Sequence, residues 1–182
     1  MKVLSIFLGL GLVLCAPGAA LAEKILDAKT KKALEVLVAG VKSGNGKQTI
    51  EGEKMLESLA NAGNGNAAFN LSAYYHFDLP GKPPDKEKEC YWVLKAAKLG
   101  TPEAYSGAFV CSANKGRDKV DSFVNYQVPW ARKMASEGNE SDRAMAQEIL
   151  TAYENAKRED AARSRTSIAS ILDRLNSLAK DR

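Results

Sequence analysis

Leu59-Ala60-Asn61-Ala62-Gly63, Ala96-Ala97-Lys98-Leu99-Gly100 and Met134-Ala135-Ser136-Glu137-Gly138 each read as the end of a small-residue helix closing on glycine. The three glycines stand 37 and 38 residues apart. Trp92 and Trp130, Lys95 and Lys133, and Ala97 and Ala135 repeat at 38, while Ala60 precedes Ala97 by 37. Such a period marks stacked helical units, because one helix pair cannot bury its apolar face alone and a neighbour of the same kind covers it. The expectation is an all-α helical array. Arrays of this type present extended binding surfaces more often than they enclose reaction chambers.

Outward from these closures the same punctuation divides the rest of the chain. Ile25, Leu26, Ala33, Leu34, Leu37, Val38 and Val41 recur at helical spacing until Ser43-Gly44-Asn45-Gly46 stops them. Ile50, Met55, Leu56 and Leu59 mark a second helix, and Gly63-Asn64-Gly65-Asn66 has the composition of a C-cap, a tight turn and a new N-cap. Helices are then expected from Ala67 to Tyr75, from Lys86 to Leu99 behind the Asp85 cap, and from Pro102 to about Ala113. Pro129 would clash with the carbonyl four residues before it, so the helix is expected either to begin near Val128 or to be kinked there, with a break in its earlier part favoured. Ser141 or Asp142 can cap a helix through Tyr153. A last amphipathic helix carries Ile168, Ile171, Leu172, Leu175 and Leu178, and the two together would cap the array.

The first residues have the form of a secretory signal: Lys2, an apolar run from Val3 to Leu14, and the small-x-small site Ala20-Leu21-Ala22. Cys15 follows Leu14, where lipidation requires a small residue, and the apolar run is short of the roughly 20 residues that span a bilayer. Removing 22 of the 182 residues leaves 160, enough for one domain or a short array. The expected layout is a signal peptide over residues 1–22, a repeat domain over 23–139 and capping helices over 140–182. The location is then periplasmic or secreted, with no membrane anchor in the mature chain. A net charge of +4, spread through both signs, argues against a nucleic-acid surface.

Two cysteines then remain, Cys90 and Cys111, an even number that suits an oxidising compartment. Cys90 lies ten residues before Gly100 and Cys111 eleven after it, so a helical hairpin turning there sets them side by side. That is the approach a disulfide needs; the alternative is a pair of buried thiols.

Phe69-Asn70-Leu71-Ser72-Ala73-Tyr74-Tyr75, then Gly81 and Asp85, then Tyr91-Trp92-Val93-Leu94-Lys95-Ala96-Ala97-Lys98-Leu99-Gly100, together resemble a Sel1-like repeat. The Trp-x-x-Lys-Ala-Ala-x-x-Gly element is complete, and Trp130 to Gly138 is a weaker second copy. The resemblance covers roughly residues 50–139. It departs from the family where prolines fill the loop after Tyr75 and where Ser112 replaces a tyrosine. Before Gly63 only the closing helix of an earlier copy is discernible. Sel1-like repeats are similar to tetratricopeptide repeats, so the resemblance implies a short right-handed α-solenoid of antiparallel helix pairs with a concave face for protein or peptide partners. Exported members stapled by cysteines are part of that family picture.

Groups suited to catalysis are sparse. His76 is the only histidine and reads as a solvated or C-capping residue; one His with two bridged Cys falls short of a zinc site. Glu87 and Glu89, like Glu159 and Asp160, sit among cations on exposed faces, and the Gly-Asn-Gly turns lack the Lys-Ser/Thr of a phosphate loop. No cofactor, metal or catalytic residue is expected. Trp92 and Trp130 read as core, and Phe69 shares the first-helix pattern with Tyr74 and Phe77. The candidate partner contacts are Asn66, Asn70, Tyr74, Phe77, Tyr105 and Phe109, aromatics and amides on the first helices of their pairs. The expected function is a non-enzymatic protein-binding module, in its most concrete version an immunity or inhibitor protein that neutralises a periplasm-acting toxin or hydrolase. The alternatives are an envelope adaptor or scaffold, and an enzyme acting on cell-wall or β-lactam substrates.

Overall fold

Asp27 opens the first helix by chemistry that a carboxylate supplies well. Its Oδ1 accepts from the backbone N–H groups of Lys29 and Thr30 at 2.9 and 3.0 Å, filling two donors that have no partner inside the helix. The computed structural model describes residues 27–158 together with Ile168, Ser170, Ile171 and Asp173. The expected signal peptide at 1–22 lies outside the described residues. So does most of the expected closing helix; Ile168, Ser170, Ile171 and Asp173 are helical, and Ile168 is buried. The described residues form helices and contain no strand, only an isolated bridge between Leu79 and Lys82.

By Cα packing the described residues divide into two compact units, the first ending at Trp92 and the second beginning at Val93. In the first, α1 (Ala28–Ser43) ends at Gly44, whose φ of 67° is a left-handed conformation that glycine adopts without a Cβ penalty. Asn45 caps α2 (Gly46–Asn61), and Asn64 caps α3 (Gly65–His76), which starts two residues before the expected Ala67 because the Asn64 side chain accepts from Ala67 N–H. α1 and α2 run antiparallel with their backbones in direct contact. A Cβ on Gly52 would lie 2.4 Å from Leu37 N, and one on Gly40 would lie 2.4 Å from Thr49 N. The absent side chains let Ala33, Leu37, Leu56 and Ala60 close the seam, and α3 lays Ala67, Ala68 and Leu71 into the same core. Burying a leucine such as Leu56 contributes about 1.5–3 kcal/mol.

The boundary between units falls inside α4 (Lys86–Lys98), which begins at the expected Asp85 cap, where Oδ1 accepts from Lys88 N–H at 3.0 Å. In the second unit, Gly100 (φ 83°) turns the chain into a 3₁₀ turn, Pro102–Ala104, and then α5 (Tyr105–Cys111). The expected helix to Ala113 is thus shorter and starts in a tighter coil. Gly107 packs against Val93 at a distance no side chain would allow, 2.6 Å from its Cγ2 to an added Cβ. Cys90 and Cys111 are joined by a disulfide, as the hairpin spacing suggested.

No break precedes Pro129. α6 (Lys119–Ser122) passes through a π-helical stretch, Phe123–Gln127, directly into α7 (Val128–Glu137). The π turn supplies the reason: its wider hydrogen-bonding pattern accommodates the missing N–H of proline without ending the helix. Trp92 is buried, while Trp130 is only half-buried and donates its indole N–H to Ser112 Oγ at 3.2 Å. Gly138 differs from Gly63 and Gly100. It is extended (φ −69°, ψ 169°), and glycine is required there by crowding, since an added Cβ would meet Met134 O at 2.5 Å. α8 (Glu140–Arg158) packs on α7 and buries Ala146, Ile149 and Tyr153.

The period read from the closing glycines is also present in the helix starts. Asp27, Asn64, Thr101 and Asn139 precede α1, α3, the 3₁₀ turn and α8 at intervals of 37, 37 and 38 residues. Asn139 caps through its Oδ1, which accepts from Asp142 N–H at 2.9 Å. Three residues after each start, Thr30, Ala67, Ala104 and Asp142 are all buried. α1 thus starts at the same interval ahead of α3, before the α2 helix that leads to Gly63.

Candidate functional site

The densest convergence of polar side chains lies in the first unit, in an open cleft of about 690 Å³ where α2, the end of α3 and the proline-rich loop meet. The loop is shaped locally. Leu79 and Lys82 exchange backbone hydrogen bonds at 3.0 and 2.9 Å around Gly81, whose φ is 75°, and Asp85 N–H returns to Tyr75 O at 2.9 Å. Pro80, Pro83 and Pro84 stiffen what those bonds leave free.

Glu53, on α2, accepts hydrogen bonds from both tyrosines that end α3: from Tyr75 OH at Oε1 and from Tyr74 OH at Oε2, the latter at 3.5 Å. Lys82 reaches back from the loop. Its Nζ donates to Tyr74 O at 3.0 Å and lies 4.3 and 4.7 Å from the ring centroids of Tyr74 and Tyr75, within cation–π range. Lys88 Nζ covers the Tyr75 ring as well, at 4.8 Å. Burial, then the charge and hydrogen bond of Glu53, push the Tyr74 phenol up to about 12; burial and the Glu53 bond raise Tyr75 further in the same direction. Burial lowers Lys82, against the opposing pull of Glu53 and Asp85. The phenols stay neutral donors, and each polar group is answered by another. At the rim, Ile50 is 52% exposed.

His76 is exposed at the end of α3 with Nδ1 3.3 Å from Glu89 Oε1, in keeping with its solvated reading. Asn66, Asn70, Tyr74 and Phe77 all fall on or just after α3. Asn70 Nδ2 donates to Asn66 O at 2.8 Å within the helix, and Asn70, Tyr74 and Phe77 line a small recess against α1. Tyr105 and Phe109 belong to α5 in the other unit, both in the core. Tyr105 stacks on Trp130 with centroids 6.2 Å apart and donates its OH to Glu137 at 2.5 Å; the Phe109 carbonyl accepts from Gln127 Nε2 at 3.3 Å. Burial, then Glu137, holds the Tyr105 phenol up at about 12. Of the residues chosen from sequence, only Tyr74 lies in the cleft. Glu53, Tyr75 and Lys82 escaped notice; the one available signal was a lysine set among prolines and glycine in a rigid loop.

Among the described residues no group of three His, Cys, Asp or Glu could hold a metal ion, and no helix is long and apolar enough to cross a membrane. No family model matches this chain, and no curated protein and no solved structure matches it either.

Proposed function

We propose that this chain is an exported, non-enzymatic protein-binding module, a short right-handed α-solenoid of Sel1-like helix pairs. The observation that carries the reading is the recurrence of helix starts at Asp27, Asn64, Thr101 and Asn139, each with a buried residue three positions on. Repeated helix pairs of this length are used to display a continuous surface to a partner. The Cys90–Cys111 disulfide supports an oxidising compartment outside the cytoplasm.

In its particular form, we infer an immunity or inhibitor protein that occludes a toxin or hydrolase in the periplasm, with the Glu53–Tyr75–Lys82 cleft and Ile50 as contact points. Co-purification of the oxidised mature chain from periplasm, followed by assay of the captured partner, tests this. Inhibition of a hydrolytic or toxic partner supports it. A partner whose activity is unchanged but whose complex fails to assemble on deletion of the chain points instead to the adaptor version. Unchanged toxin sensitivity and unchanged assembly on deletion would remove both.

The enzyme reading has one observation in its favour, the convergence of perturbed groups around Lys82. Those groups are paired with one another, with the tyrosines held protonated and the ammonium engaged by a carbonyl and two ring faces, an arrangement better suited to shaping a surface than to moving protons. Turnover of muropeptides or β-lactams that is lost in Lys82→Met would reverse this preference.

A further inference from the structure

Two Asn-Gly dipeptides occur in the chain, Asn45-Gly46 and Asn64-Gly65, and each opens a helix. This dipeptide carries a reaction of its own, because glycine puts no side chain beside its peptide nitrogen and leaves that nitrogen free to approach the Cγ of the preceding asparagine. The two sites are matched in backbone: Asn45 has φ −81° and ψ 92°, Asn64 has φ −81° and ψ 105°, and each Oδ1 accepts from the N–H three residues on. Their amides are not matched. Asn64 is half-buried; its Oδ1 accepts from Ala67 N–H at 3.0 Å, and its Nδ2 donates to Thr30 Oγ1 at 2.9 Å and to Asp27 Oδ2, which ties the amide nitrogen to α1. Asn45 is exposed, its Oδ1 accepts from Gln48 N–H at a longer 3.3 Å, and its Nδ2 makes no hydrogen bond to a described residue. Gly46 beside it is exposed, with nothing within 4 Å of an added Cβ, whereas Gly65 is half-buried.

We propose that Asn45 is a site of spontaneous deamidation, and that Asp27 and Thr30 shield Asn64 from the same reaction. Hydroxide removes the Gly46 N–H proton and the nitrogen attacks Asn45 Cγ; the Cγ–Nδ2 bond breaks, and ammonia leaves with a proton taken from water. Water then opens the cyclic imide. Addition at Cγ restores the main chain and leaves aspartate, while addition at the backbone carbonyl carbon leaves isoaspartate, with the main chain routed through Cγ. Both products place a negative charge at the start of α2. Aspartate keeps the cap and suits the positive end of the helix dipole; isoaspartate lengthens the main chain and gives the cap up. Gly44 and Gly46 line the cleft that holds Lys82, so the charge arrives on the surface proposed for partner contact, although the chemistry itself does not rest on that reading. Asn64 must break two more hydrogen bonds than Asn45 before it can react, which makes its reactive opening about thirtyfold rarer.

The test is incubation of the oxidised mature chain in mildly alkaline buffer, with and without urea, followed by tryptic mass mapping of the peptide Ser43–Lys47 and of the peptide that begins at Met55, and by enzymatic methylation of isoaspartate. In native buffer Asn45 is expected to deamidate about thirtyfold faster than Asn64; in urea the two rates are expected to converge. Gly46→Ala is expected to slow Asn45 several-fold and to leave Asn64 unchanged. Asp27→Ala and Thr30→Val, each checked for native helicity, are expected to speed Asn64 and to leave Asn45 unchanged. Equal rates at the two sites in native buffer, or an Asn45 that reacts in urea but stays intact in the native chain, would overturn the proposal. An Asn64 rate that neither Asp27→Ala nor Thr30→Val moves would overturn the shielding.

Discussion

Replacing Gly52 with alanine asks whether α1 and α2 meet backbone to backbone. The new Cβ would stand 2.4 Å from Leu37 N and 2.5 Å from Leu37 Cα, against 3.4 Å or more for ordinary contact. The obstacle is backbone and cannot rotate aside, so the helices must part by about 1 Å at that point, enough to forfeit a quarter to a half of the dispersion attraction across the gap. Ala33, Leu37, Leu56 and Ala60, all buried on this seam, share the loss. Overpacking of this kind costs about 1–3 kcal/mol, to which the weakened seam adds. Alanine returns up to about 1 kcal/mol through its better helix propensity. The net expectation for Gly52→Ala is a destabilisation of about 2–3 kcal/mol, or a melting temperature lower by about 5–10 °C for a chain of this size. Gly46→Ala is the control: it lies at the exposed start of α2 with nothing within 4 Å of an added Cβ, and is expected to be neutral or slightly stabilising. Urea and thermal unfolding followed by circular dichroism decide the matter. A Gly52→Ala protein as stable as the parent would mean that the two helices do not approach as described.

Reduction of the Cys90–Cys111 bridge, which encloses 20 intervening residues, is expected to lower stability by about 3 kcal/mol through the freed unfolded chain; an unchanged urea midpoint after complete thiol labelling would refute this. Thr30's hydroxyl and N–H, with the Asn64 amide, hold Asp27 down at about 2 from 3.8. Its contribution is therefore full above pH 3.8 and is lost as pH falls towards 2. Solvent screening of this exposed group reduces it to about 1 kcal/mol, and Asp27→Asn should flatten that part of the acid unfolding profile. Tyr74 and Tyr75 act in the opposite direction, contributing stability below pH 10 that is lost as pH rises towards 12 and above. Glu53→Gln is expected to cost about 2 kcal/mol at neutral pH and to bring the ionisation of Tyr74 part of the way down from 12, as read by ultraviolet difference titration. An unchanged tyrosine titration would remove Glu53 from the cleft.

Local rules made the helices and their ends legible in the sequence. Gly44, Asn64, Asp85 and Gly100 punctuate the chain by the conformations and hydrogen bonds their own side chains allow or lack, and the spacing of Cys90 and Cys111 about Gly100 follows from a simple hairpin. The period of 37–38 residues was visible because Gly63, Gly100 and Gly138 and the alanines Ala60, Ala97 and Ala135 before them recur in the sequence. Where several elements compete, sequence alone fell short. Pro129 sits in a continuous helical run because a π turn before it absorbs the clash, and Gly138 is glycine for want of space beside Met134 rather than for a left-handed turn. The cleft was hidden because Glu53, Tyr75 and Lys82 belong to two helices and a loop that no local pattern connects. Their tyrosine–carboxylate bonds and cation–π contacts exist only once the packing of α2 and α3 brings them together.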